Sequence, residues 1–161
     1  MSPKHLDRDL IIKHITAAFE GVDVQVASRD DGSPEIAWGD AFFFYSPDPE
    51  NRDRKFPFAT IVTKDYENFD AASNLNRPGV FRLNIGIDRE TFQSKFGDDV
   101  TQFDFTALDQ VMPHPVYAKQ HWICVLNPSR KTLEDLHVLL EAAHAVAVRR
   151  HSRHDREASQ W

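Results

Sequence analysis

Residues 79–87 read Gly-Val-Phe-Arg-Leu-Asn-Ile-Gly-Ile, and this stretch decides the fold because its side chains alternate with the two-residue period of a β-strand. The apolar face of that strand consists of Phe81, Leu83, Ile85 and Ile87. Arg82 and Asn84 lie on the opposite face, next to Gly86. A guanidinium and an amide offer hydrogen-bond donors, and a glycine lets a ligand or another backbone approach closely. The stretch therefore predicts a strand with one face in the core and a candidate binding site on the other.

The size and composition of the chain predict a single globular domain. Its 161 residues are 41% hydrophobic and 27% charged, which is ordinary for one domain with one core. No apolar run approaches the roughly eighteen residues of a membrane helix, and the N-terminus lacks the apolar segment of a signal peptide. The single cysteine, Cys124, cannot form an internal disulfide. We therefore predict a cytoplasmic protein with no membrane partner.

The charge of the chain argues against nucleic acid as a partner. The net charge is −6, and the segment Arg149–Trp161 carries +2, which leaves −8 on the body. Such a body repels a phosphate backbone, and no predicted helix or strand carries a row of Arg or Lys. The terminal segment also lacks a burial pattern. We therefore divide the chain into one domain, residues 1–148, and a disordered tail, residues 149–161.

Hydrophobic periodicity and turn residues predict the order of helices and strands. Asp88 is the expected N-cap of a helix that ends at Gly97, and Ser129 or Thr132 caps the last helix. Helices are predicted at 6–19, 88–97, 106–112 and 129–148. Strands are predicted at 22–26, 36–38, 41–45, 56–63, 79–87 and 121–126. This order predicts an α+β fold, an antiparallel sheet of about five or six strands with helices packed on one face in a two-layer sandwich.

The polar face of the central strand carries the first candidate ligand-binding residues. Thr60 lies on a neighbouring predicted strand and joins Arg82 and Asn84 as a hydroxyl beside the core. These groups suit a carboxylate, a phosphate or an amide. Alternatively, Arg82 has a structural role and pairs with the carboxylate of Asp65 or Asp70, as arginines on strands often do.

Four more residues are candidate ligand contacts: Asn74, Arg77, Tyr117 and Trp122. Asn74 and Arg77 come from a turn that leads into the central strand, where asparagine can bind a polar ligand or satisfy its own backbone. Tyr117 follows His114 and could place a phenol beside its imidazole for acid–base chemistry, and Trp122 lies in the last predicted strand.

Two histidines, His114 and His121, are candidate catalytic residues. His114 lies between Pro113 and Pro115, which restrict its backbone and could hold its imidazole in position for acid–base chemistry near neutral pH. The alternative is that a histidine in a proline-flanked turn bonds the backbone. The chain has no compact His-x-x-x-His pair and no glycine-rich phosphate loop, so we predict neither a metal nor another cofactor.

Several blocks of sequence resemble a known family. Phe56–Thr63, Asn74–Gly86 and Met112–Tyr117 with Trp122 resemble an uncharacterised bacterial family that is defined only as a domain of unknown function. This resemblance implies no activity. More distantly, Gln120–Trp122 and the last strand and helix are similar to the MmcQ/YjbR-like proteins, small α+β domains suggested to bind DNA through paired wings. The acidic body lacks a basic wing, so only the fold is expected to carry over.

These patterns predict a protein that binds a small polar or anionic molecule on the open face of its sheet, with acid–base chemistry by histidine as an extension. The alternative is an interaction module, a homodimer joined through exposed aromatics such as Trp38 or the run Phe42–Tyr45. Loss of ligand binding in Arg82→Ala would favour the first, and self-association in solution the second.

Overall fold

The computed structural model describes residues 6–50, 52, 56–98, 100 and 102–159, with side chains as far as Arg153. The helices are α1 Arg8–Ala18, α2 Arg89–Phe96, α3 Arg130–Asp135 and α4 His137–Ser159. The strands are β1 Val22–Val26, β2 Ala41–Tyr45, β3 Ala59–Val62, β4 Arg82–Gly86, β5 Met112–Pro113 and β6 Trp122–Leu126. All six strands form one antiparallel sheet in the order β1-β2-β3-β4-β6-β5. The predicted α+β class and antiparallel sheet are therefore confirmed.

The sheet register shows which side chains share a face. Phe42 pairs with Thr60, Thr60 with Asn84, and Asn84 with Cys124. Paired residues in a sheet point to the same side, so these four side chains define one face, which we call the site face. Ala41, Ile61, Leu83 and Val125 pair in the same way one position along and define the opposite face, which we call the core face.

The main core lies between the core face and the helices. It unites Ala41, Phe43, Ile61, Leu83, Ile85, Ile123 and Val125 of the sheet with Ile11, Ile15, Phe92, Leu133, Leu140 and Ala143 of the helices. A smaller buried cluster, Leu75, Met112, Cys124 and Leu126, lies on the site face beside Val62, Val80, Phe103 and Phe105. Burial of such side chains contributes about 1.5–3 kcal/mol each. The loops thus cover part of the site face with a second core.

Side-chain caps begin the helices. Asp7 accepts a hydrogen bond from the backbone N–H of Leu10, and Asp88 accepts one from that of Thr91. Ser129 accepts a hydrogen bond from the N–H of Thr132. The predicted caps at Asp88 and Ser129 are therefore confirmed. The predicted long final helix is interrupted at Leu136, between α3 and α4.

Two predicted elements are wrong: a local turn replaces one of them, and pairing with β6 replaces the other. The strand expected at 36–38 is a short 3-10 helix, Glu35–Ala37, closed by bonds from Ala37 to Pro34 and from Trp38 to Glu35. The helical turn expected at 106–112 is absent. In that segment the N–H of Asp109 donates to the carbonyl of Leu126, and Met112–Pro113 forms the edge strand β5.

The end of the chain differs from the sequence prediction as well. Helix α4 extends to Ser159, past Val148, where the predicted helix ends. The ring of His151 meets the edge of Tyr45 at 5.3 Å between centroids, and the guanidinium of Arg150 lies 5.1 Å from the ring of Phe56. These contacts give the extra helical turns a surface to pack on. Residues 160–161 of the predicted tail lie outside the described residues.

No helix in the described ranges is both long and apolar enough to cross a membrane.

Candidate functional site

A cavity of about 500 Å³ opens on the site face. Its walls are mostly aromatic or apolar: Phe42, Pro57, Val62, Tyr66, Phe69, Tyr117 and Trp122. Its polar groups come from Thr60, Asp70, Asn84, His114 and Gln120. We call Thr60, Asp70, Asn84 and His114 the polar floor. A concave, mainly apolar cavity with a few convergent polar groups is the usual form of a small-molecule site.

Arg82 lies beneath the polar floor and is fully buried. Its Nη1 and Nη2 atoms donate to the two carboxylate oxygens of Asp70 at 3.0 and 2.5 Å. Nη1 also donates to the hydroxyl of Ser73 at 3.0 Å, and Nε donates to Oδ1 of Asn84 at 2.8 Å. Buried charges are tolerated when they are paired and hydrogen-bonded. The structural alternative for this arginine, a pair with Asp70, is thus the arrangement observed.

The amide of Asn84 continues the hydrogen-bond chain toward the cavity. Its Oδ1 is occupied by Arg82, and its Nδ2 donates to Oγ1 of Thr60 at 3.0 Å. Asn84 is almost completely buried, whereas Thr60 is half-buried. The chain of donors therefore runs outward from the buried guanidinium to the hydroxyl at the cavity surface.

His114 is held by contacts on both sides of its ring. Nδ1 accepts hydrogen bonds of 3.0 Å from the backbone N–H groups of Val116 and Tyr117, and Nε2 lies 3.2 Å from Nη2 of Arg82. Burial, and next the charge of Arg82, lower the pKa of His114 to about 3, although Asp70 acts in the opposite direction. The imidazole is therefore neutral at physiological pH.

The aromatic rings of the walls come from strands and from loops that border the polar floor. The ring of Trp122 lies across Gly86, where an added Cβ atom would be only 2.8 Å from it. Phe69 and Tyr117 meet edge to face at 5.9 Å between centroids and are 59% and 38% exposed. These two rings thus border the opening of the cavity.

Tyr66 is fixed in the wall by a buried carboxylate. Its hydroxyl donates a short hydrogen bond to Asp40, which also accepts from the backbone N–H and the hydroxyl of Thr63 at 2.9 Å. Burial and the hydrogen bond to Asp40 raise the pKa of Tyr66 above its ordinary value. The phenol therefore stays protonated and its ring keeps one position.

The structure brings together some of the predicted site residues and separates the others. Thr60, Asn84, His114, Tyr117 and Trp122 all line the cavity, and Arg82 supports them from below. The ring of His121 instead packs on Phe92 at 5.7 Å between centroids. Asn74 is exposed in its turn. Arg77 donates to the carbonyls of Ser73, Asn74 and Thr106.

Sequence reasoning missed Tyr66 and Phe69 as wall residues. They lie in a segment without periodicity, which folds back through a bridge between Tyr66 and Asp70 and through a hydrogen bond of 2.8 Å from the N–H of Leu75 to Asp65. The only available signal was the presence of two aromatic residues in a polar loop. Such residues usually need a surface on which to pack.

The described residues contain no group of three or more His, Cys, Asp or Glu side chains that could hold a metal ion. Cys124 is buried in the smaller cluster, and burial raises the pKa of its thiol to about 12. A thiol in this environment is inert, because the thiolate is the reactive form.

Fold and cavity together define a small α+β protein with an aromatic-walled pocket on one sheet face. The chain belongs to a family of unknown function, DUF6194, which matches residues 6–156. Membership in this family assigns no activity. Comparison with curated proteins and with solved structures gives no match, so the resemblance to MmcQ/YjbR-like proteins stays a prediction.

Proposed function

We propose that this protein binds a small, neutral, ring-containing molecule in the cavity of the site face. The observation that carries the proposal is the combination of aromatic walls with a polar floor whose charges are already paired inside the protein. Aromatic side chains offer large contact area at little loss of conformational entropy. A flat ring between Phe42, Tyr117 and Trp122 would use that area.

The charge of the cavity supports a neutral ligand over an anion. The predicted anion-binding group, Arg82, is fully buried and donates its hydrogen bonds to Asp70, Ser73 and Asn84. Asp70 is the one charged residue among the described lining residues, and its charge is balanced by the same arginine. A ligand anion would therefore lose its hydration without gaining a free counter-charge.

Binding without catalysis fits the state of the histidines. A general acid or base works best with a pKa near the working pH, and the pKa of His114 is far below it. His121 packs against Phe92 and is not among the lining residues of the cavity. We therefore give His114 a positioning role, in which its ring supports the polar floor, and give no proton-transfer role to His121.

The alternative, a homodimer through exposed aromatics, has less support. Phe43 and Phe44 of the run Phe42–Tyr45 are buried within one chain, while Trp38 is 36% exposed and its indole donates to the carbonyl of Ser33. The dimer stays a prediction, as do the cytoplasmic location, the domain limit at residue 148 and the absence of a nucleic acid partner.

The test is a thermal-shift screen of neutral ring compounds against two matched variants. Val62→Phe places a larger side chain in the cavity wall, whereas Val26→Phe makes the same change on an exposed edge-strand residue outside the cavity. A compound at about a hundred times its dissociation constant adds about 3 kcal/mol of stability, or several degrees. We expect hits to persist in Val26→Phe and to vanish in Val62→Phe. Equal shifts in both variants would exclude the cavity as the site.

A further inference from the structure

We infer that the cavity takes fused-ring compounds and that Gly86 is the residue that leaves room for them. This inference rests on the proposed function, because it names the ligand class of the same cavity and a residue that determines its specificity. It follows from the contact between Gly86 and the indole of Trp122.

The backbone conformation of Gly86 does not explain why the residue is a glycine. Five of the six glycines of the chain have a positive φ, where glycine is favoured, and Gly86 does not. It lies inside strand β4, where a glycine often marks the close approach of another group. Packing against a neighbour therefore explains this glycine.

The neighbour is the indole of Trp122. Gly86 pairs with Trp122 across β4 and β6 and lies two positions from Asn84, so a side chain there would point to the site face. Its Cβ atom would be 2.8 Å from Cε2 and Cζ2 of Trp122 and 3.2 Å from Cδ2. Trp122 lines the cavity and Gly86 does not. The indole therefore lies between the glycine and the cavity.

A side chain at position 86 would push the indole into the cavity. Carbon atoms in contact are normally about 3.5–4.0 Å apart, so the ring would have to withdraw by about 1 Å from an added methyl group. The backbone of Trp122 is held, because its N–H donates to the carbonyl of Tyr117 at 3.2 Å and its carbonyl accepts from the N–H of His114 at 2.9 Å. The sheet lies behind the ring, so the ring moves toward the cavity.

The size of the cavity favours a fused ring over a single ring. A cavity of about 150 Å³ is enough for benzene, whereas this one has about 500 Å³. A single ring would leave part of the aromatic wall without contacts and forfeit their dispersion energy. A second, fused ring fills the space in front of Trp122, and a side chain at position 86 would move the indole into that same space.

A matched pair of neutral probes tests the inference. Benzyl alcohol and naphthylmethanol carry the same polar group on one ring and on two fused rings. Each is titrated into the full chain and followed by ¹⁵N–¹H correlation spectra, with the backbone amides of Thr60 and Asn84 as reporters. We expect the natural chain to bind naphthylmethanol about tenfold more tightly, because the second ring buries more apolar area. Gly86→Ala should weaken naphthylmethanol about tenfold and benzyl alcohol less than about twofold.

Gly32→Ala is the matched control. The same substitution at this position meets no atom within 4 Å but strains the backbone, whose φ is 80°. It should therefore lower stability without changing the cavity, and both affinities should match those of the natural chain. If naphthylmethanol is weakened equally in Gly32→Ala and Gly86→Ala, a general loss of stability explains the effect and the inference is overturned.

A second background tests whether the methyl group acts through the indole. Trp122→Leu removes Cε2 and Cζ2, the two atoms nearest to the added methyl group. In that background Gly86→Ala should change the affinity for naphthylmethanol less than about twofold, because the two substitutions act on one contact. A full loss in that background would contradict the inference. If Gly86→Ala does not fold, nuclear Overhauser contacts between naphthyl protons and the indole of Trp122 in the natural chain decide, and their absence overturns the inference.

The outcomes separate this inference from the proposed function. If both probes bind the natural chain equally well, or if Gly86→Ala weakens both by the same factor, the inference fails while the cavity remains a binding site. If neither probe shifts the reporter amides, the proposed function itself fails.

Discussion

Replacement of His114 by asparagine isolates the acid sensitivity of the polar floor. Nδ1 of His114 accepts hydrogen bonds of 3.0 Å from the backbone N–H groups of Val116 and Tyr117. The side-chain oxygen of an asparagine can take the place of Nδ1, so it keeps an acceptor for both groups but does not titrate. The difference in pH dependence between the two proteins therefore reports the protonation of one imidazole.

The magnitude follows from the two pKa values of His114. Burial and the charge of Arg82 lower its pKa from 6.5 to about 3. Between pH 6.5 and about pH 3, His114 is protonated in the unfolded chain but neutral in the folded chain. The contribution of His114 to the free energy of unfolding is therefore full above pH 6.5 and is lost as the pH falls from 6.5 toward 3. Each pH unit in the window costs about 1.4 kcal/mol. The loss between pH 7 and pH 5 is therefore about 2 kcal/mol.

The assay is urea unfolding of both proteins at pH 7, 6 and 5, followed by circular dichroism. The free energy of unfolding of the natural chain should fall by about 2 kcal/mol more than that of His114→Asn. Burial also lowers the pKa of His14, and this residue contributes equally to both curves. Parallel curves would refute the reasoning, because they would mean that His114 is protonated as readily in the folded chain as in the unfolded one.

Three further substitutions or reactions test the packing around the site. Asp70→Asn leaves a buried guanidinium without its counter-charge and should lower the free energy of unfolding by about 3–5 kcal/mol. The control Asp135→Asn breaks an exposed pair and should cost less than about 1 kcal/mol; equal losses in urea would contradict the role of burial. Gly86→Ala should displace the ring of Trp122 and lower the free energy of unfolding by about 1–3 kcal/mol. The displacement should shift the indole N–H resonance of Trp122. An unshifted resonance would show that the ring has room for the added methyl group. The thiol of Cys124 should resist labelling at pH 8 in the native chain and react only after unfolding, because burial raises its pKa to about 12; rapid native labelling would disprove its burial.

Local patterns were sufficient for most strands and for the helix starts. The alternation in residues 79–87 correctly predicted that Leu83 and Ile85 face the core while Asn84 faces the other way. The N-caps Asp88 and Ser129 were also predicted correctly from the sequence, because a cap depends on residues within one helical turn. Prediction failed at 36–38, where the apolar residues fall in a turn whose hydrogen bonds close within four positions.

The candidate site was predicted by a general rule only where it lies on strands, although His114 and Tyr117 of a loop were also predicted and line the cavity. Thr60 and Asn84 belong to adjacent strands, so their shared face follows from a period of two and from antiparallel pairing. His121 follows no such rule, because it ends a 3-10 turn with a left-handed backbone, φ 69°, and its ring packs on Phe92. The aromatic residues of the loop, Tyr66 and Phe69, gave no periodic signal at all.

Near neighbours in the chain thus set the elements and the two faces of the sheet, because propensity, capping and alternation act over a few residues. The partner of Arg82 was set by contacts that are distant in sequence. Asp65 and Asp70 were equivalent candidates by sequence, yet Asp65 binds the N–H of Leu75 and leaves Asp70 to meet the guanidinium. That choice pairs the guanidinium inside the protein. The pairing depends on how the loop that carries Asp65 and Asp70 folds over the sheet, because a buried charge without a partner is costly in free energy.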